Sequence, residues 1–194
     1  MIYIILAGQS KIDPPKQLLE VNGEVIIERT IRLLKENGVE PIVCSSNPLF
    51  DKYNRLDYDS SGDWVNAFPQ MHEDVCFIFG DVFFSPEAIK TIVETDTDDI
   101  EFFASAPPFS MNYPKRWAEP YAFKVRNLEH FYTSIETVKN LIKLKCFKRH
   151  PIAWELWQVI KGTPINIIDY TNYKVINDYS CDIDTAEEIG QWTF

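Results

Sequence analysis

Three short stretches carry the residue types and spacings that could do chemistry. The first is Leu6-Ala7-Gly8-Gln9-Ser10-Lys11, which leads through Ile12-Asp13-Pro14-Pro15 to Lys16. Glycine lets the backbone approach a ligand closely, exposed amides in such a loop could hold phosphate oxygens, and Lys11 and Lys16 would add positive charge. The second is Gly80-Asp81, directly after the apolar run Val75 to Phe79, where a carboxylate could fill one position of a Mg²⁺ shell. The third is Asp182-Ile183-Asp184-Thr185-Ala186-Glu187-Glu188. Alternate carboxylates on an extended segment face the same side, which suits a metal bridging to phosphates. Each stretch also has a plainer reading. The first matches neither GxGxxG nor a Walker A pattern and could be a simple strand-to-helix loop with solvated lysines. Gly80-Asp81 could be a turn. Asp184 would make a good helix N-cap with Glu187 at the third helical position, and Thr185 with Glu188 also fits a capping box.

The elements needed to position these residues can be traced from periodicity. Ile2 to Ala7 is a continuous apolar run, as in a strand buried on both faces. Ile26, Ile27, Thr30, Ile31, Leu33 and Leu34 recur at helical spacing up to the stop at Asn37-Gly38. Strands are expected at Pro41 to Cys44, Val75 to Phe79 and Ile100 to Ala106, with a short helix between Ser61-Gly62-Asp63 and Pro69. Ser85-Pro86-Glu87 is a strong helix start, with an N-cap serine, proline at the first helical position and acid in the first turn. Further on, Trp117 to Val125 reads as a strand and Phe131 to Leu144 as a helix. Ile152 to Ile160 reads as a helix closed by Gly162, Ile165 to Ile168 and Lys174 to Ile176 as short strands, and Thr185 to Trp192 as a last helix. Alternation of this kind argues for one α/β domain built on a mostly parallel, mixed sheet sandwiched by helices. In such sheets ligands collect at the carboxyl ends of the strands, where all three stretches lie.

The 194 residues suffice for a single domain with a real core, and no linker, repeat or low-complexity segment divides them. Nineteen Lys and Arg against twenty-nine Asp and Glu give a net charge of −10. Duplex nucleic acid and anionic membranes are attracted chiefly by Lys and Arg, so both are poor partners for this chain. An anionic small molecule needs a local basic cluster or a metal to offset the net field. No run is long enough to span a bilayer, and the N terminus lacks the basic start and cleavage site of a signal peptide. The four cysteines form no CxxC pair and no metal spacing with the three histidines, so they read as reduced thiols of a cytoplasmic protein.

The order of the three stretches adds a further reading. Leu6-Ala7-Gly8, then Lys16-Gln17-Leu18-Leu19-Glu20-Val21-Asn22-Gly23-Glu24-Val25-Ile26-Ile27-Glu28, resembles the N-terminal signature of the nucleotidyltransferase superfamily with a GT-A-like, Rossmann-like nucleotide-binding fold. That superfamily includes sugar-phosphate, molybdenum-cofactor and cytidylyl transferases. Gly80-Asp81 is similar to its mid-chain metal aspartate. Asp182-Ile183-Asp184-Thr185 is similar to its C-terminal acidic element, most of all in the cytidylyl enzymes. Ser60-Ser61-Gly62-Asp63-Trp64 is similar to the loop that receives the base. The phosphate loop departs from the pattern: Gln9 stands in place of a second glycine, and Lys11 where an arginine is usual.

The resemblance covers residues 1–106 and 180–194, implied to be the nucleotide and metal part, with 107–179 implied to receive the acceptor. The activity implied is transfer of a nucleoside monophosphate from a nucleoside triphosphate, CTP favoured, to a phosphorylated small molecule. That acceptor would be a sugar phosphate or a phospho-alcohol such as phosphocholine, and pyrophosphate would be released. Leu6, Ala7, Gly8, Gln9, Lys16, Ser61, Gly62 and Asp81 would bind the nucleotide. Asp81, Asp182 and Asp184 would hold Mg²⁺, and Lys16 and Lys11 would balance the phosphates. Trp117, Glu119 and Tyr121 would share one strand face, stacking on the acceptor and accepting its hydroxyls, with Arg116 near its phosphate; the two aromatics could equally be core residues. Two other readings stay open: a GT-A-type glycosyltransferase using a nucleotide sugar, and a non-catalytic nucleotide-binding protein. Composition and spacing do not indicate an oligomeric state.

Overall fold

The computed structural model describes residues 1–8, 13–108 and 118–183. Gln9, Lys11, Arg116, Trp117, Asp184 and the expected helix from Thr185 to Trp192 lie outside the described residues. The chain folds through β1 (Ile2–Leu6), β2 (Glu20–Val21), β3 (Glu24–Val25), α1 (Ile26–Glu36), β4 (Ile42–Cys44) and β5 (Arg55–Leu56). It continues through β6 (Val75–Phe79), β7 (Val82–Phe83), α2 (Pro86–Glu94), β8 (Ile100–Ser105) and β9 (Pro120–Val125). It ends with α3 (Leu128–Lys143), α4 (Ala153–Lys161), β10 (Lys174–Ile176) and β11 (Cys181–Asp182).

Seven strands form one sheet in the order β10-β8-β9-β6-β1-β4-β5. Pairing is parallel except where β9 runs antiparallel between β6 and β8. The expected mostly parallel, mixed sheet is therefore present. Because β1 is buried on both faces, its side chains divide between two cores. Ile4 and Leu6 join Phe77, Phe102, Phe123, Phe131 and Trp154 under α3 and α4. Tyr3 and Ile5 join Ile78, Ile27, Leu34, Ile89 and Ile92 under α1 and α2. Burial pushes the Cys44 and Cys76 thiols up to about 12, with the Lys124 charge acting against the shift at Cys76. Inert buried thiols follow from that.

Helix ends obey the local chemistry. Ser85 Oγ accepts from the Ala88 amide with Pro86 at the first helical position, and Gly162 closes α4 in the left-handed conformation. The segment Ser61–Pro69 holds a 3-10 turn at Trp64–Ala67. Ile165 to Ile168, expected as a strand, is not one: Gln158 Nε2 on α4 donates to the carbonyls of Pro164 and Ile167, which folds this stretch back over the end of the helix. Glu119 and Tyr121 do not share a regular strand face. The β8–β9 register pairs Ala104 with Pro120 but Phe103 with Ala122, so Tyr121 is the extra residue of a bulge and the two-residue alternation is interrupted.

The Phe131 ring lies at the centre of the α3-side core, with Phe68, Phe77 and Phe123 rings at centroid distances of 5.3, 5.6 and 5.6 Å. Phe131→Ala is expected to cost about 3–5 kcal/mol through lost contacts and a residual cavity. Urea unfolding should show a lower midpoint at an unchanged slope.

Candidate functional site

The carboxyl ends of β1 and β6 meet more closely than side chains normally allow. Gly80 N–H donates to the Leu6 carbonyl at 3.0 Å, and a Cβ on Gly80 would stand 2.7 Å from that same oxygen. Only glycine fits there, and Asp81 follows it directly after the carboxyl end of β6. The chain then crosses from Gly8 to a 3-10 turn at Lys16–Leu18, which brings Lys16 back over the same strand ends. Lys16 Nζ lies 2.8 Å from Asp81 Oδ2 and 4.0 Å from Asp182 Oδ1.

Asp182 reaches this point through a second, two-stranded ribbon. β11 runs antiparallel to β7, with Cys181 opposite Phe83 and Asp182 opposite Val82. The Ile183 amide donates to the Asp81 carbonyl at 3.0 Å. Lys16, Asp81 and Asp182, far apart in sequence, thus converge on one spot at the carboxyl end of the central strands. Two carboxylates within reach of one ammonium can share a cation. Their hard oxygens are the donors magnesium prefers, with substrate oxygens or water completing its shell. Asp81 and Asp182 offer two donors of that kind, and no third Asp, Glu, His or Cys joins them among the described residues.

The Ser60–Asp63 loop stands beside the first glycine: a Cβ on Gly8 would lie 3.2 Å from Ser60 Oγ. The loop is organised internally. Asp59 accepts from Ser61 N–H at 2.9 Å and Ser61 Oγ at 3.2 Å, and Asn66 Nδ2 donates to the Ser61 carbonyl at 3.1 Å. Ser60, next to Ser61 and Gly62, thus lies beside Gly8, while Leu6 and Ala7 are buried in the two cores. The α3–α4 connection approaches from the other side, with His150 Nε2 3.9 Å from Asp63 Oδ1. Arg149 is held there by the buried Glu155, at 2.8 Å. Burial pushes the Glu155 carboxyl up, and the Ile152 amide and Arg149 act against that shift.

The acceptor strand differs from expectation. Tyr121 is fully buried, its ring edge-on to Phe84 and its hydroxyl donating to the Ser180 carbonyl. It offers no face on which a sugar or a quaternary ammonium could stack. Glu119 is 5% exposed, and its amide donates to Ser105 Oγ at 2.8 Å. The structure also brings forward residues that spacing did not single out. Gln17 is 4% exposed and packs against the space above Gly80, and its amide oxygen has no hydrogen-bond partner among the described residues. Arg29, Asp178 and Ser180 hold the β7–β11 ribbon in place. The one sequence signal for Gln17 is its position next to Lys16.

Gly80→Ala should force β1 and β6 apart and cost about 1–3 kcal/mol, as overpacking does. Chemical denaturation measures the loss, and a variant as stable as the parent would show that the two strand ends tolerate a wider separation.

No protein-family model matches this sequence, and no curated protein matches it. Solved structures do. One is a protein of Bacillus anthracis assigned as a glucose-1-phosphate thymidylyltransferase, in complex with a sucrose, at 12% identity and TM-score 0.65, covering 98% of this chain and 92% of that one. A nucleoside-diphosphate-sugar pyrophosphorylase from Vibrio cholerae RC9 aligns at 13% identity and TM-score 0.57, covering 98% of both chains. HddC from Yersinia pseudotuberculosis, complexed with GMP-PN, aligns at 14% identity and TM-score 0.52, covering 97% of this chain and 96% of that one. Agreement over nearly the whole of each chain at so low an identity is agreement of backbone, and the chain has the fold of these proteins.

Proposed function

We propose that this chain is a Mg²⁺-dependent nucleotidyltransferase. It would transfer a nucleoside monophosphate from a nucleoside triphosphate to a phosphorylated small molecule and release pyrophosphate. The observation that carries this reading is the convergence of Lys16, Asp81 and Asp182 at the carboxyl end of β1 and β6, in a fold shared with such transferases.

In the proposed reaction an acceptor phosphate oxygen attacks the α-phosphorus, a new P–O bond forms, and the bond to the β-phosphate oxygen breaks. The protein has little covalent work to do in such a transfer; it positions the groups in line and offsets charge. Lys16 would neutralise charge on the phosphates, with Lys11 in the same role, as negative charge grows on the leaving pyrophosphate. Asp81 and Asp182, with Asp184 as a further ligand, would hold Mg²⁺, which supplies Lewis-acid stabilisation of phosphate charge when bound. Gly8 and the Ser61-Gly62 loop would seat the nucleotide by close backbone approach. CTP is the base of choice because Asp182-Ile183-Asp184-Thr185 is most similar to the acidic element of cytidylyl enzymes. The acceptor would be a sugar phosphate or a phospho-alcohol.

Asp81→Asn and Asp182→Asn should each lower pyrophosphate release on the order of 10²–10³-fold while leaving the unfolding midpoint nearly unchanged. Lys16→Ala should weaken triphosphate binding and lower kcat together, since the charge it opposes is present in substrate and grows in the transition state. Normal Mg²⁺-dependent turnover in either aspartate variant would remove the two-carboxylate site.

Among CTP, UTP, GTP, dTTP and ATP with Mg²⁺, CTP should give the largest thermal stabilisation, about 2.7 kcal/mol at a hundred times its dissociation constant. A larger effect from another triphosphate would change the base and leave the reaction class intact. Turnover of a nucleotide-sugar without pyrophosphate release would instead support a glycosyltransferase.

A further inference from the structure

The ribbon that brings Asp182 to Asp81 is too short to fix its own register. β7 and β11 are two residues each, and an isolated two-stranded pairing is marginal even at ordinary lengths. A slip of one residue would turn Asp182 to the opposite face. Burial of Cys181 and Ile183 beside Val21, Ile26 and Phe83 opposes such a slip, and the segment just before β11 adds directional contacts. Asp178 accepts from the Ser180 amide at 2.7 Å and from Ser85 Oγ at 2.5 Å. Ser85 N–H donates back to Ser180 Oγ at 2.8 Å, and Ser85 Oγ accepts from the Ala88 amide at 2.9 Å as the cap of α2. The Ser180 carbonyl takes the Tyr121 hydroxyl from the β9 bulge. Ser85, Tyr121 and Ser180 are at most 2% exposed. From the α1 side, Arg29 Nε donates to the Phe84 carbonyl at 2.7 Å, and its guanidinium lies 4.4 Å from the Phe83 ring centroid.

We infer that Tyr121 and Ser180, with Asp178 and Ser85, form a buried clasp that sets the register of β11 and so the placement of Asp182 against Asp81. These are positioning residues: they act through the Ser180–Asp182 backbone on the metal-holding carboxylate. The inference rests on the nucleotidyltransferase reading for its catalytic consequence, but the register itself does not. The bulge at Tyr121 has a role in this account, since it directs the hydroxyl toward the 178–180 segment rather than continuing the strand alternation. Buried, satisfied networks of this kind hold geometry within the narrow limits that metal sites need.

The test uses Tyr121→Phe, which keeps the ring and removes the hydroxyl, and Ser180→Ala, which removes the acceptor of the Ser85 amide. Hydrogen exchange of the Ile183 amide reads the register directly, because that amide donates to the Asp81 carbonyl. Its protection should fall about tenfold or more in each variant, while amides of β6 keep theirs. The Mg²⁺ concentration for half-maximal turnover should rise about 10–100-fold, with the KM for triphosphate little changed. Ser180→Thr, which keeps the hydroxyl, should recover part of both effects. Unchanged Ile183 protection in folded Tyr121→Phe and Ser180→Ala would overturn the clasp, and lost protection with an unchanged Mg²⁺ requirement would overturn its positioning of Asp182. If the parent protein releases no pyrophosphate from any triphosphate, the functional reading fails, and Ile183 exchange still decides the register.

Discussion

Two carboxylates brought to one point repel each other unless a cation lies between them, and in this fold the cation is Lys16. Its ammonium bonds Asp81 closely and reaches Asp182 at the limit of an ion pair. One positive and two negative charges leave that spot net negative among the described residues, within a chain already at −10. An anionic substrate does not approach such a place on electrostatic grounds alone. In the proposed function the further positive charge comes from Lys11 and a divalent cation. The plain loop reading of Lys16 also loses ground, since the lysine is an ion-paired group at the base of a crevice rather than a solvated one.

The second constraint is steric. Gly80 lets the ends of β1 and β6 pair to their last residues, and the chain emerges from both strands at the same level. Every candidate group is then delivered over that shared edge: Lys16 by a 3-10 turn, Asp81 directly, Asp182 by the β7–β11 ribbon. The antiparallel strand β9 lies between β6 and β8, and its bulge brings Tyr121 to the segment before β11.

Much of this was legible in the residues. β1 and β6 are continuous apolar runs, and Ser85-Pro86-Glu87 announced α2 because a capped start is local chemistry. The resemblance paired Asp81 with the Asp182-Ile183-Asp184 element, of which Asp184 lies outside the described residues and Asp182 stands beside Lys16. The missed elements share one cause: β2, β3, β5, β7 and β11 are two residues long, and two residues display no period. Ile165 to Ile168 misled for the opposite reason. It is apolar enough for a strand, yet its neighbouring carbonyls are claimed by Gln158, and a backbone acceptor already satisfied by a side chain has less need of a ladder. Tyr121 misled because alternation holds only while the register does, and a bulge is not visible in a single strand's sequence.

The same shortness that hid β7 and β11 also explains why they need support. A long strand carries enough cross-strand pairs to penalise a slip; a two-residue strand does not. Its register must come from tertiary contacts: burial of Cys181 and Ile183 opposes a one-residue slip, and directional contacts are needed for the finer placement. Hydrogen bonds through Asp178, Ser180, Ser85 and the Tyr121 hydroxyl meet that requirement, and they tie the ribbon to α2 and β9 rather than to the sheet edge that carries Lys16. Asp81 and Asp182 are therefore positioned by different parts of the protein: Asp81 by the β1–β6 backbone, Asp182 by a buried polar cluster on the far side of the ribbon. Their geometry is a product of both, and either can be altered without touching a carboxylate.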